Sequence, residues 1–293
     1  MQETLADDYF SGGERNLVIA CEEGVEEYED ELLQKTNTTL VVLEDKSEFN
    51  EMFLAECQKK YKPTQIIVEY NCMWGLDYLR EMYMPKGWFV AQVITTVDAT
   101  TFDVYLKNMK SLFMEMAKDS DLIIFNRSTD ETPAATYKRN MRAVNPKAQV
   151  VFEKEDGSQL EFEEEMPFDI NADVIEISDV DYGIWYIDAM DHPEKYDGKT
   201  MRFKAMAYTG GRLPKGYFVP GRMAMTCCAD DTQFIGYICK NPAAKRLRIG
   251  SWVTVTAKVK DEFMEVYNGR GPVLYATEIE AAEKPEQELV YFG

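Results

Sequence analysis

The chain has 293 residues, 45% of them hydrophobic and 12% aromatic, and 52 acidic against 32 basic residues give it a formal net charge of −20. That balance argues against a nucleic-acid backbone or an anionic membrane surface as the main partner, and the apolar content excludes intrinsic disorder. No apolar run approaches the roughly 18 residues of a membrane span, no basic-then-apolar signal opens the chain, and the six cysteines lack the repeated spacing of a disulfide framework.

The expectation is a soluble, cytoplasmic protein of two domains. Asp191 to Gly293 carries 13 acidic and 15 basic residues, which leaves −22 on residues 1–190. Such different surfaces imply an α/β domain over 1–155, an acidic linker over 156–172 around Glu161, Glu163, Glu164 and Glu165, and a β-rich domain over 173–293.

In the first part, short Val- and Ile-rich runs predict strands at Leu17–Ala20, Thr39–Leu43, Gln65–Glu69, Gln92–Val97, Leu122–Phe125 and Gln149–Phe152. Little polar alternation within them suits strands buried on both faces of a parallel sheet. Helical spacing marks Val25–Lys35, Ser47–Lys60, Thr101–Lys118 and Pro133–Val144, with Ser47 and Thr101 as expected helix starts. In the second part, strands are expected at Met201–Tyr208, Gln233–Cys239, Trp252–Lys260 and Val273–Ile279, separated by Gly and Pro. This spacing points to a small Greek-key barrel of the OB type, with a different β-sandwich as the alternative.

A bound triphosphate needs directed backbone N–H groups and a lysine. The text nearest to a phosphate loop is Gly198-Lys199-Thr200, but Pro193 stands where the first glycine is required, so it reads as a turn. Leu17-Val18-Ile19 with Glu22 and Gly24, Ile67-Val68-Glu69, Thr96-Val97-Asp98-Ala99 with Phe102, Asp121 to Asn126, and Arg142 to Pro146 with Ala148 together resemble, in order and spacing, the CobW-type GTPases over about residues 1–153. The resemblance implies a P-loop-GTPase-like α/β fold and a link to metal delivery. It also implies that the first strand and the phosphate loop are missing before Met1, and that an earlier start is to be expected.

By the same comparison Glu69 faces the magnesium and γ-phosphate region, Asn126 and Asp130 stand in place of the guanine-reading Asn-Lys-x-Asp, and Glu22 takes the family's glutamate position. Arg127 replaces the lysine and Asp130 comes one position late, while the family's Cys-x-Cys-Cys has no counterpart near Val41 to Asp45. GTP with Mg²⁺ is therefore expected only with an upstream phosphate loop, and the 293-residue chain is expected to be inactive.

Gly221 to Asp230 contains Cys227 and Cys228 beside Met223 and Met225, a soft donor set suited to zinc or another soft transition metal. On a regular strand adjacent side chains point to opposite faces, so shared ligation requires a bulge or turn; one thiol in the core and one at the surface is the alternative. This segment, with Pro193 to Lys199, Gly236 and Gly250 to Val253, resembles the soluble C-terminal domain of bacterial permease-associated proteins over roughly 173–280. The expected role is transition-metal handling with a membrane permease or a metal-dependent client protein as partner. An active GTPase metal chaperone and a non-catalytic adaptor are the alternatives. The loop from Thr209 to Arg222, with Arg212, Lys215, Tyr217 and Phe218, is the expected recognition surface, unless its aromatics close one end of the barrel.

Overall fold

A computed structural model of the chain describes residues 5–6, 12–21, 27–210, 213–225 and 232–292. The chain divides into two compact units, Met1–Ala91 and Gln92–Gly293. The strands near Ile94, Leu122 and Gln149 therefore belong with the β-rich part, upstream of the division anticipated at 156–172.

In the first unit, β1 (Asn16–Ala20) lies between β2 (Thr38–Val42) and β3 (Gln65–Glu69), all parallel. Every β1 residue is buried, as its continuous apolar run requires of a central parallel strand. Two helices, α1 (Asp30–Lys35) and α2 (Glu51–Tyr61), make the crossovers, and α3 (Leu76–Glu81) follows β3.

The helix expected from Ser47 begins differently. Asp45 caps a short turn, Lys46–Glu48, by accepting from the Ser47 N–H at 2.8 Å, while Glu48 accepts from the Asp45 N–H at 3.0 Å. Asn50 then starts α2 by accepting from the Phe53 N–H at 3.0 Å, the N-cap role expected of Ser47. Leu17, Ile19, Phe49, Leu54 and Cys57 form the core, edged by an aromatic set in which Tyr70 meets Phe49 and Trp74 edge-on.

The second unit holds a parallel sheet of β4 (Ile94–Asp98), β5 (Leu122–Asn126) and β6 (Gln149–Phe152), with α4 (Phe102–Lys118) and α5 (Ala134–Val144) between them. The single parallel sheet expected over residues 1–155 is thus two three-stranded sheets. Among the described residues β3 pairs only with β1, and β4 only with β5. Thr101 occupies the start of α4 without a side-chain cap bond. The open carbonyls at the other end of α4 are served by Asn145, whose Nδ2 donates to Ala117 O at 2.9 Å and Ser120 O at 2.8 Å. At the centre of this layer Phe125 stacks on Tyr137 and Phe152, and Phe102 meets Phe125 and Tyr137 edge-on.

Residues 156–172 are tied down on both sides: Leu160 and Phe162 pack on this aromatic core, and Phe168 and Ile170 on the next one. There follow β7 (Ile175–Glu176), α6 (Tyr182–Asp191), α7 (Pro193–Tyr196), β8 (Thr200–Tyr208), β9 (Tyr217–Met225), β10 (Thr232–Gly236), β11 (Cys239–Lys240), β12 (Trp252–Met264) and β13 (Gly269–Ala281). Pairings run β8–β9–β11–β13–β12 and back to β8, closing a ring of five strands in which only β11–β13 is parallel. Strand alternation sends Met201, Phe203, Ala205, Val253, Val255 and Ala257 inward. From α6, Trp185 packs on Phe203 with ring centres 4.8 Å apart; burying a side chain of this size is worth about 2–3 kcal/mol.

Two elements depart from the sequence reading. Pro220-Gly221, part of the Gly and Pro punctuation expected between strands, lies inside β9, where Gly221 stands opposite Gly236 of β10. A Cβ on Gly236 would lie 2.7 Å from the Pro220 carbonyl oxygen, so the two strands approach closely only because both positions are glycine. The strand expected over Gln233–Cys239 is two strands, interrupted where the Ile238 N–H donates to the Tyr267 hydroxyl at 2.8 Å.

Candidate functional site

Strands β4 and β5 end side by side, with Asp98 aligned to Asn126. Asp98 Oδ1 accepts from the Thr100 N–H at 2.9 Å and its hydroxyl at 2.6 Å, and Oδ2 accepts from Arg127 Nη1 at 2.6 Å. Burial alone would raise the Asp98 carboxyl, but the bonds from Thr100 and Arg127 hold it below the usual carboxylate value. Arg127 adopts a left-handed backbone (φ 53°), an unfavourable conformation for a side chain of this size. The Asn126 Oδ1 is buried with no hydrogen-bond partner among the described residues.

Asp130, expected to read a base, is 84% exposed and accepts instead from Lys154 at 2.7 Å. Asn126 thus ends β5 and Asp130 lies in the loop after it, with Arg127 paired to Asp98 and Lys154 to Asp130. Asp98 carries no local sign of this role in the sequence, because its link to Arg127 spans 29 positions. Arg142 and Asn145 are structural within this unit. Arg142 donates through Nε to both oxygens of Asp191 at 3.1 Å, and Asn145 closes α4.

Glu69 belongs to the first unit. It ends β3 opposite Ala20, and its carbonyl accepts from the Cys21 N–H at 2.9 Å. Burial first, and the Glu69 charge with it, push the Cys21 thiol up to about 11 and the Tyr28 phenol well above its ordinary range.

Glu22, Cys227 and Cys228 lie outside the described residues. Among the described residues β9 and β10 pair antiparallel from Gly221 opposite Gly236 to Met225 opposite Thr232. Cys239, the other thiol of this region, is fully buried inside the ring, and desolvation pushes it up to about 12. Among the described residues no cluster of three or more His, Cys, Asp or Glu is arranged to hold a metal.

The expected recognition loop needs correction at two positions. Phe218 and Arg222 are both fully buried. Arg222 Nη1 donates to Asp179 Oδ1 at 2.8 Å, Nη2 donates to the Gln287 carbonyl, and the guanidinium lies 5.7 Å and 5.6 Å from the ring centres of Tyr182 and Trp252. It fastens the C-terminal segment to β9, where Val290 also exchanges backbone bonds with Met223 and Met225. Arg212 lies outside the described residues. Lys215 is exposed and Tyr217 half-buried.

Residues 152–292 match the family described as DUF1980 C-terminal domain. UPF0703 protein YcgQ of Bacillus subtilis (strain 168) is 22% identical over 103 residues, which are 35% of this chain and 36% of that protein. The chain thus spans about a third of that relative's length. A crystal structure of the S. cerevisiae mitochondrial single-stranded DNA-binding protein Rim1 is 18% identical, covering 30% of this chain and 97% of its own, with a TM-score of 0.20 that supports no argument on fold or ligand. The family match falls on the part of the chain that resembles a permease-associated domain. The CobW-type comparison rests on its motifs alone. No helix among the described residues is long and apolar enough to cross a membrane.

Proposed function

We propose that the protein is a non-catalytic, cytoplasmic metal-handling module that works beside a membrane permease and passes on a soft transition-metal ion through Cys227 and Cys228. The observation that carries this reading is the burial of Cys239, which leaves Cys227 and Cys228 as the remaining thiols of this domain. Cys239 is held neutral in the core, so this domain offers two thiols where a closed structural zinc site takes four ligands. Open positions on the ion suit transfer to a partner. The ring order β8–β9–β11–β13–β12 supports an OB-like barrel as the carrier, and the three-stranded parallel layers support a CobW-like origin for the rest.

Loss of nucleotide chemistry fits the strand end of β5, where Arg127 and Lys154 are committed to Asp98 and Asp130. Equilibrium dialysis of zinc against the wild type, Cys227→Ser and Cys228→Ser tests the proposal. One ion bound by the wild type and loss in both variants is expected; equal occupancy in all three contradicts it.

A second reading, a GTPase metal chaperone whose phosphate loop precedes Met1, is favoured by one observation. Among the described residues β3 and β4 are edge strands of the two parallel sheets. Mg-GTP binding by a chain extended with its upstream coding sequence tests it: micromolar affinity gained on extension supports this reading, and no gain removes it.

A further inference from the structure

The strand pairings of the barrel set one row of side chains across four strands. Tyr217 of β9 stands opposite Lys240 of β11, Lys240 opposite Tyr275 of β13, and Tyr275 opposite Lys258 of β12. On β12, Ala257 and Val259 are buried while Lys258 and Lys260 are exposed, so both lysines share the outer face. Lys240 is exposed as well. Neighbouring strands lie about 4.8 Å apart and alternate residues of one strand about 6.8 Å, so the three lysines spring from points about 7–10 Å apart.

Their ammonium groups are held largely by aromatic rings. Lys240 Nζ lies 5.9 Å from the Tyr217 ring centre and 5.6 Å from that of Tyr275, and Lys260 Nζ lies 5.0 Å from that of Tyr275. Of the carboxylates on this face, Glu262 accepts from the Tyr275 hydroxyl at 2.7 Å and stands 3.8 Å from Lys260, Glu280 meets Arg202 at 3.3 Å, and Glu278 stands opposite Thr256. Lys240 and Lys258 enter no ion pair among the described residues. A chain of net charge −20 thus keeps exposed cations here without carboxylate partners of their own, and they complement an anion.

Two features decide which anion. The Tyr217 and Tyr275 rings are engaged by ammonium groups and the Tyr275 hydroxyl is committed, so a nucleic-acid base finds no free stacking platform, and the net charge opposes a polyphosphate backbone or an anionic leaflet at long range. A short carboxylate segment meets neither obstacle. In an extended peptide alternate side chains also recur every 6.8 Å or about that, the spacing of Lys258 and Lys260. We propose that this face docks an extended acidic peptide segment of a partner protein, with alternate carboxylates at Lys258 and Lys260 and Lys240 lending a third charge. The inference is independent of the metal reading of Cys227 and Cys228.

Fluorescence anisotropy of the labelled peptide Glu-Thr-Glu-Thr-Glu-Thr-Glu, titrated with the full chain in 50 mM NaCl, tests it. Saturable binding below about 1 mM protein is expected, lost in the Gln-for-Glu peptide and at high salt. Lys258→Glu and Lys260→Glu should each weaken it by about tenfold or more, whereas Lys107→Glu, the same charge change at an exposed position of α4, should leave it within about twofold. Lys258 makes no described side-chain contact, so its reversal should leave the circular dichroism and Tm unchanged and keeps the test free of misfolding. No saturation, or equal weakening by Lys107→Glu, overturns the proposal. So does tighter binding of a labelled oligo(dT) of 15 nucleotides or of phosphatidylserine vesicles, which would make the face a nucleic-acid or membrane surface.

Discussion

Replacing Arg222 by alanine should destabilise the second unit by about 3 kcal/mol. Removing one partner of a buried ion pair costs about 3–5 kcal/mol, because the other charge is left without compensation. Asp179, however, keeps 32% of its side chain exposed, so water recovers part of its solvation. The Arg222 Nε has no partner among the described residues, so the native state already bears some desolvation cost that the substitution removes. Against these stand the lost donors to the Gln287 and Glu288 carbonyls and the stacking on Tyr182 and Trp252, the latter worth about 0.5–2 kcal/mol. In a unit of about 200 residues, about 3 kcal/mol corresponds to a fall in Tm of about 6–12 °C. Thermal unfolding followed by circular dichroism measures it, and hydrogen exchange at the Met225 and Val290 amides, which bond across β9 and the C-terminal segment, locates it. Arg222→Met restores volume without charge and should recover part of the loss. A loss below about 1 kcal/mol with both amides still protected would refute this account and return Arg222 to a surface role.

The other predictions concern different parts of the molecule. Gly236→Ala should cost about 1–3 kcal/mol in denaturant titration, since its Cβ meets the Pro220 carbonyl at 2.7 Å; a neutral result would show that the β9–β10 approach can relax. Cys239 should resist alkylation at pH 8 in the folded chain. Its thiol ionises near 9.0 when unfolded and near 12 when folded, so its contribution to stability is complete below pH 9 and fades as pH rises toward 12. Unfolding midpoints that fall over this range in the wild type but less in Cys239→Ala would bear this out, and identical profiles would count against it. Titration of the 293-residue chain with Mg-GTP should give no binding heat, and micromolar affinity would show that a phosphate cradle has been overlooked.

Elements whose cause is local were readable in the sequence. The strand runs at Gln65–Glu69 and Gln149–Phe152 coincide with β3 and β6, because an uninterrupted aliphatic run leaves no other periodicity to follow. Helix α6 was missed for the opposite reason: Tyr182, Trp185, Ile187 and Ala189 are buried around much of its circumference, so no one-sided stripe marks it. β9 was hidden by Pro220-Gly221, whose fit depends on Gly236 in another strand. Arg222 reads as a surface charge, since nothing near it in sequence announces a buried partner; it meets Asp179 across 43 positions. Of the candidate site, the strand-end position of Asn126 was legible, whereas the commitment of Asp130 to Lys154 was not, because that pair forms only once β6 lies beside β5.

Cobalt(II) spectroscopy of the full chain tests the central claim most directly, because thiolate-to-metal charge transfer reports sulfur ligation by number and identity. The account predicts a band of the intensity of two thiolates, halved or lost in Cys227→Ser and in Cys228→Ser and unchanged in Cys239→Ala, whose thiol is buried and neutral. A wild-type chain without any thiolate band, or a band that survives both serine substitutions, would contradict it.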